Sequence, residues 1–108
     1  LRGRAASAGR ALGKARIIRG PAEFGDLEAG DVLVCPFTDP TWTPLFALAS
    51  AVVADSGGPL SHAAIVAREY GIPAVLGMQH ATATIPNGAR VLVDGTAGVV
   101  KIQPDAGA

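Results

Sequence analysis

Apolar residues fall along this chain in short runs closed off by Gly, Pro, Asp or Ser, the pattern of buried strands joined by tight turns. Runs of this kind predict strands over residues 14–18, 32–35 (VLVC), 51–55 (AVVAD), 74–76, 90–93 and 98–102. The helical signals between them are local. Residues 21–27 read as a turn with a single helical turn. Thr38-Asp39-Pro40 marks another turn, after which Thr41 or Thr43 caps a short helix running through Leu45, Phe46 and Leu48 toward Ser50. Residues 79–84 form a turn or short helix, and Pro86-Asn87-Gly88 and Asp94-Gly95 are turn signals. The opening segment, residues 1–13, reads as an Ala/Gly-rich loop, and residues 103–108 as a tail or linker without a core-forming pattern.

Residues 57–77, GGPLSHAAIVAREYGIPAVLG, depart from this rhythm. Gly57 and Gly58 admit backbone conformations closed to other residues, and Pro59 fixes the exit of their turn. Ser61 is then an N-cap for a helix over residues 62–70, rich in alanine, with Gly71 as the residue that ends it and Pro73 forbidding its resumption. His62 therefore sits in the first turn, where free N–H groups and the positive end of the helix dipole favour a phosphate. A neutral imidazole there is a nucleophile. Taken from spacing alone, a histidine at a helix start is more often a capping or surface residue. Ser61 and His62 are neighbours, about 100° apart around a helix, which excludes a nucleophile–base pair between them. The glycines match neither G-x-S-x-G nor a P-loop.

Composition narrows the class without naming a chemistry. The chain of 108 residues is one domain, 49% hydrophobic and 17% charged with a formal net charge of zero, which excludes a disordered chain and argues against a nucleic-acid binder. The apolar runs are too short to span a membrane, and no signal-peptide core precedes them. Cys35 lies inside an apolar run and reads as a buried structural thiol. The chain begins without methionine, as a segment of a longer protein would, and the compartment expected is cytoplasmic. Residues 1–19 carry six basic residues and no acidic one, spaced as a solvated linker and strand face. Trp42 and Phe46 read as packing, His80 as a surface histidine without metal-ligand partners, and Asp94 as structural. Asp55 has two roles open to it: a hydrogen bond to the imidazole, or a buttress for the glycine turn.

The stretch around His62 resembles the signature of the phosphohistidine swivelling domain, the mobile domain of phosphoenolpyruvate-utilising enzymes. That family includes phosphoenolpyruvate synthase, pyruvate phosphate dikinase and rifampicin phosphotransferase. The resemblance extends to GRAASAGRALGKARII, GDVLVCPFTDPTWTPLF and VLVDGTAGVVKI, so it covers essentially residues 1–108. It implies an α/β fold of the swivelling β/β/α type, a single domain with short strands and a helix starting at the histidine. It also implies that His62 accepts a phosphoryl group, supported by Gly57, Gly58, Ser61 and Ala63, with Thr38 on the TDP turn adding a hydrogen bond. Arg68 would orient toward the phosphate or a docking partner, with a surface ion pair or a helix C-terminal charge as an equal alternative. Leu60 stands where the dikinases carry a threonine, which removes any hydroxyl-based regulation at that position.

What the family does then supplies the expected function. His62 would take a phosphoryl group from ATP or phosphoenolpyruvate on a partner domain, and the domain would swivel to deliver it to pyruvate, water or an antibiotic. No cofactor or metal is expected on this domain itself; Mg2+ and ATP are expected on partner domains. The partners are an ATP-binding domain and an acceptor-substrate domain, in cis or in trans, with no nucleic acid and no membrane. The competing reading is a non-catalytic docking or regulatory module derived from the same domain.

Overall fold

The computed structural model of the chain describes residues 1–103. Along it come β1 (Arg4–Ser7), β2 (Arg10–Ile17), β3 (Val32–Cys35), α1 (Thr43–Phe46), β4 (Ala51–Ala54) and α2 (His62–Tyr70). β5 (Ala74–Leu76), α3 (Ala81–Thr84), β6 (Arg90–Asp94) and β7 (Val99–Ile102) follow, and 3-10 turns occupy Pro21–Asp26 and Pro40–Trp42. The strands form one sheet in the order β1-β5-β4-β3-β2-β6-β7. Its centre, β2-β3-β4-β5, is parallel, and β1, β6 and β7 are added antiparallel.

The two edges of this sheet meet. Arg2 bridges to Val99, the Gly3 N–H donates to the Gly98 carbonyl at 2.9 Å, and Leu1 and Val100 exchange two bonds of 2.9 Å. Residues ahead of β1 thus close the sheet against β7. Strand side chains alternate between the two faces of this closed wall. Val32, Val34, Ala51, Val53 and Val75 join Ala15, Val91, Val93 and Val100 in one cluster, to which Ala81 of α3 and Ile85 belong. Leu33, Cys35, Val52, Ala54 and Leu76 face the other way, against Trp42, Leu45, Phe46 and the Ala63, Ala64 and Ala67 side of α2. With both faces covered, β3, β4 and β5 are buried at every residue, which is why they appear in the sequence as continuous apolar runs.

Several expectations need correction. The opening segment is not a loop: residues 4–7 form β1 and residues 10–17 form β2, which starts four residues earlier than the apolar pattern suggested. The signal is weak because Leu12 is half exposed and the pairing with β6 uses backbone groups, which any residue supplies. The helix after the TDP turn ends at Phe46, short of Ser50. Its approach is capped by Asp39, whose carboxylate accepts the Thr41 N–H at 2.9 Å, and not by Thr41 or Thr43. The α2 bounds, from the Ser61 cap to Gly71 at φ +70°, are those expected. Cys35 is fully buried, and burial, with the Asp55 carboxylate adding to it, pushes its thiol pKa far up, as suits a structural residue. Asp94 accepts the N–H groups of Thr96 (3.1 Å) and Ala97 (3.0 Å) and the Arg10 Nε–H (3.2 Å), so it builds the turn it opens. The tail expected over 103–108 lies, beyond Gln103, outside the described residues.

Gly95 is buried where β6 leaves the sheet, and a Cβ there would strike the Ser7 carbonyl and come within 2.9 Å of the Ala74 nitrogen. Both obstacles are backbone. Gly95→Ala is therefore expected to lower unfolding free energy by roughly 3 kcal/mol or more, measured by urea titration; a loss under about 1 kcal/mol would mean that β1 and β5 yield there.

Candidate functional site

Two loops leave the sheet side by side because β3 and β4 are paired in register to their last residues, Cys35 against Ala54. The ladder runs one step further: the Asp55 N–H donates to the Cys35 carbonyl at 3.0 Å and the Ser56 N–H to the Pro36 carbonyl at 3.1 Å. One loop carries Thr38 and Asp39, and the other carries the glycine turn. Gly57, at φ +107°, redirects the chain toward α2, and a Cβ there would press on Ser61 Oγ at 3.1 Å. The Gly58 carbonyl accepts both the Ser61 N–H (3.0 Å) and its Oγ–H (2.8 Å). Ser61 is extended, and its Oγ accepts the Ala64 N–H at 3.4 Å, closing the cap. The N–H groups of His62 and Ala63 have no partner among the described residues and lie at the positive end of the helix.

The imidazole of His62 is half-buried and held on both sides. Thr38 Oγ1 lies 2.8 Å from Nδ1, Thr43 Oγ1 lies 3.3 Å from Nε2, and the Phe46 ring meets it edge-on at 6.0 Å between centroids. The stretch that carries the two threonines is fixed by Asp39, which accepts the Thr41 hydroxyl (2.6 Å) as well as its N–H. Those two bonds hold the Asp39 carboxyl below its ordinary value, and the attraction of His62 acts in the same direction. Behind it, Trp42 is buried against Phe24, with ring centroids 4.9 Å apart. The loop is thereby anchored in the core within four residues of each threonine.

Gly57, Gly58, Ser61, Ala63 and Thr38 are thus brought together with His62, although Thr38 contacts the ring itself. Arg68 is not. Six residues along α2 it stands about 9 Å further up the axis and about 120° around it, and its Nε–H donates to the Ala6 carbonyl at 2.8 Å, tying the helix to β1. Among the described residues the Asp55 side chain makes no hydrogen bond to the imidazole or the glycine turn; its carboxylate accepts the N–H (3.0 Å) and hydroxyl (2.6 Å) of Thr82 and so fixes the start of α3. Sequence reasoning missed Thr43 and Phe46 as neighbours of the ring, having weighed them as a cap and as packing. Among the described residues no cluster of His, Cys, Asp and Glu could hold a metal ion, and no helix is long and apolar enough to cross a membrane.

The family model of the PEP-utilising enzyme, mobile domain, matches residues 27–98, which include β3, both loops, the whole of α2 and the turn after β6. The chain belongs to this family. As a mobile domain it is 53% identical over 100 residues to the uncharacterized phosphotransferase YvkC of Bacillus subtilis, a match that spans 93% of this chain and 12% of that protein. It is 50% identical over 96 residues to the rifampicin phosphotransferase of Streptomyces sviceus, spanning 89% of this chain and 11% of that protein. The mobile domain therefore covers only about an eighth or less of the length of these relatives. Its fold matches the NMR solution structure of the Enzyme I protein nEIt with a TM-score of 0.65 and 35% identity, over 78% of this chain and 35% of that one.

Two measurements check the geometry. In Thr38→Val the imidazole 15N spectrum is expected to change from one dominant tautomer to a mixture, with the melting temperature nearly unchanged; an unaltered spectrum would show that Thr38 does not hold the ring. The Asp39 carboxyl, lowered by folding from 3.8, stabilises the loop fully above that unfolded value and ceases to do so as pH falls through the lower folded one. The stability gap between wild type and Asp39→Ala is therefore expected to be constant at neutral pH and to close only below pH 3.8; a gap that closes at higher pH contradicts the assignment.

Proposed function

We propose that this mobile domain is the phosphocarrier of a multidomain phosphotransferase. His62 accepts a phosphoryl group from ATP, or from phosphoenolpyruvate, bound on a partner domain. It then surrenders the group to an acceptor such as pyruvate, water or an antibiotic on another. The observation that carries the reading is a histidine at the first position of α2, held at both ring nitrogens, beside two N–H groups that have no partner among the described residues. Membership of the family and likeness to two named phosphotransferases support it.

The chemistry follows from the two unequal contacts. On this reading Thr38, 2.8 Å from Nδ1, accepts its proton, the tautomer that leaves the lone pair on Nε2. Thr43, at 3.3 Å, is the looser contact and gives way as the phosphorus approaches. Nε2 forms the bond to phosphorus, the bond from phosphorus to the donor's leaving oxygen breaks, and that oxygen keeps the electron pair. The ring becomes positively charged, and its Nδ1–H now gives Thr38 a stronger, charge-assisted bond. The N–H groups of His62 and Ala63 meet phosphoryl oxygens in both carrier states. Mg2+ and ATP belong, on this reading, to the partner domain, which places the protein in the cytoplasm. A carrier must offer one atom to two sites, which suits an imidazole at a helix tip more than one at the foot of a cleft.

Incubation with the family's nucleotide-binding domain, Mg2+ and ATP, followed by intact-mass spectrometry, tests this. Wild type is expected to gain one acid-labile, alkali-stable phosphoryl group, and His62→Ala and His62→Asn none, with circular dichroism unchanged. Retained labelling in either variant would remove His62 from the mechanism. With ATP and Mg2+ alone, wild type is expected to stay unlabelled; rapid labelling would contradict the division of work between domains.

A further inference from the structure

β1, the strand that the apolar pattern does not reveal, brings Arg4 to the glycine turn. Arg4 pairs directly with Leu76 of β5, and partners across a ladder share a face. Leu76 packs in the cluster covered by α2, so the Arg4 side chain lies on the α2 face as well. Gly77, at φ +63°, follows the last residue of β5, and the Arg4 stem crosses this glycine: a Cβ on Gly77 would lie 3.3 Å from Cδ and 3.4 Å from Cγ of Arg4. The stem ends at the Gly57-Gly58 turn, where Nη1 is 3.8 Å from the place a Gly58 Cβ would take. At Gly77 a side chain would press on this stem, while at Gly58 the guanidinium lies at ordinary contact distance from the turn.

Its charge is uncommitted. Arg10 and Arg16 pair with Asp94 (3.2 Å) and Asp31 (3.4 Å), and Arg19 and Arg68 donate to the carbonyls of Thr82 (3.3 Å) and Ala6 (2.8 Å). Among the described residues the Arg4 guanidinium has neither ion pair nor hydrogen bond. It lies beside the turn whose Gly58 carbonyl is bonded to Ser61, one residue before the imidazole. A bonded turn of this kind keeps its ends within about 7 Å, so the guanidinium stands near the Ser61 cap from which α2 and its free N–H groups begin.

We infer that Arg4 is a positioning residue for phosphoryl transfer at His62: its guanidinium meets the anionic oxygens of the donor at the glycine turn and holds them for attack by Nε2. The inference rests on the reading of His62 as the phosphoryl acceptor. A guanidinium suits the task because it presents several N–H donors in one plane to phosphate oxygens. The donor N–H groups of His62 and Ala63 have dipolar charge only, and Arg4 adds the full positive charge that the short α2 lacks at this end.

Phosphoramidate, a small anion that phosphorylates imidazoles without a partner domain, isolates this step. Nε2 bonds to phosphorus, the P–N bond breaks, and ammonia leaves with its electron pair, so no other reactant is needed. Labelling rates by intact mass would be compared for wild type, Arg4→Lys, Arg4→Gln and His62→Ala, in dilute and in concentrated salt. Arg4→Gln is expected to slow His62 labelling about fivefold in dilute buffer, with Arg4→Lys recovering most of the rate. Salt should slow wild type toward the Arg4→Gln rate and leave Arg4→Gln nearly unaffected. Equal rates for wild type and Arg4→Gln in dilute buffer, or equal salt slopes, would overturn the inference while leaving the carrier reading intact. Failure of wild type to label beyond His62→Ala would overturn both.

Discussion

β3 and β4 have no exposed residue, and the constraint this places on their pairing governs the rest of the molecule. A slip of one residue between them would turn Leu33, Cys35, Val52 and Ala54 into the other cluster and break both layers at once. Their register is thus held by the packing on two sides, and so is the point at which each chain leaves the sheet. The TDP loop and the glycine turn depart from neighbouring rungs of one ladder, and the contacts between Thr38, Thr43 and His62 follow from that adjacency. The geometry of a half-buried ring on a short helix is in this sense a property of two four-residue strands beneath it.

Read as the proposed phosphoryl carrier, the site combines opposite demands. A nucleophile that changes partners must be reachable, which argues for a loop or a helix tip. It must also present one nitrogen in one orientation, which argues for a rigid setting. Here the imidazole sits on the first residue of α2 while the groups that aim it come from a second loop, anchored by the burial of Trp42 and Phe46. Asp39 contributes without touching the ring, by tying Thr41 and so fixing the chain between the two threonines. Access and aim are assigned to different segments.

How much of this could be seen in the sequence depended on whether the determining contact was local. The α2 helix was legible to its ends because Ser61, the alanines, Gly71 and Pro73 all speak about the same few residues. The buried strands were legible as runs because neither face reaches water. β1 was not, since RAAS shows no apolar alternation and its partner β5 lies far along the chain. Thr43 was read as a cap because its local setting before Pro44 and Leu45 fits one; its hydroxyl instead faces a ring 19 residues away. Asp55 and Arg68 were left with alternatives by the sequence, contact with the His62 site among them, and each bonds instead to a distant segment, Thr82 and Ala6. The resemblance to the family identified His62 as the residue to watch and brought Thr38 to it as a phosphate partner, but it did not name Thr43.

The seam between residues 1–3 and β7 carries one more implication. An unpaired strand rim is a template onto which another chain can add itself, and proteins go to some length to blunt such rims. In this domain β7 finds that missing neighbour in residues 1–3, through Leu1, Arg2 and Gly3. On the carrier reading proposed above, a domain that leaves one partner surface for another is bathed in solvent on all flanks in between. With that rim already occupied, it can be released without becoming adhesive.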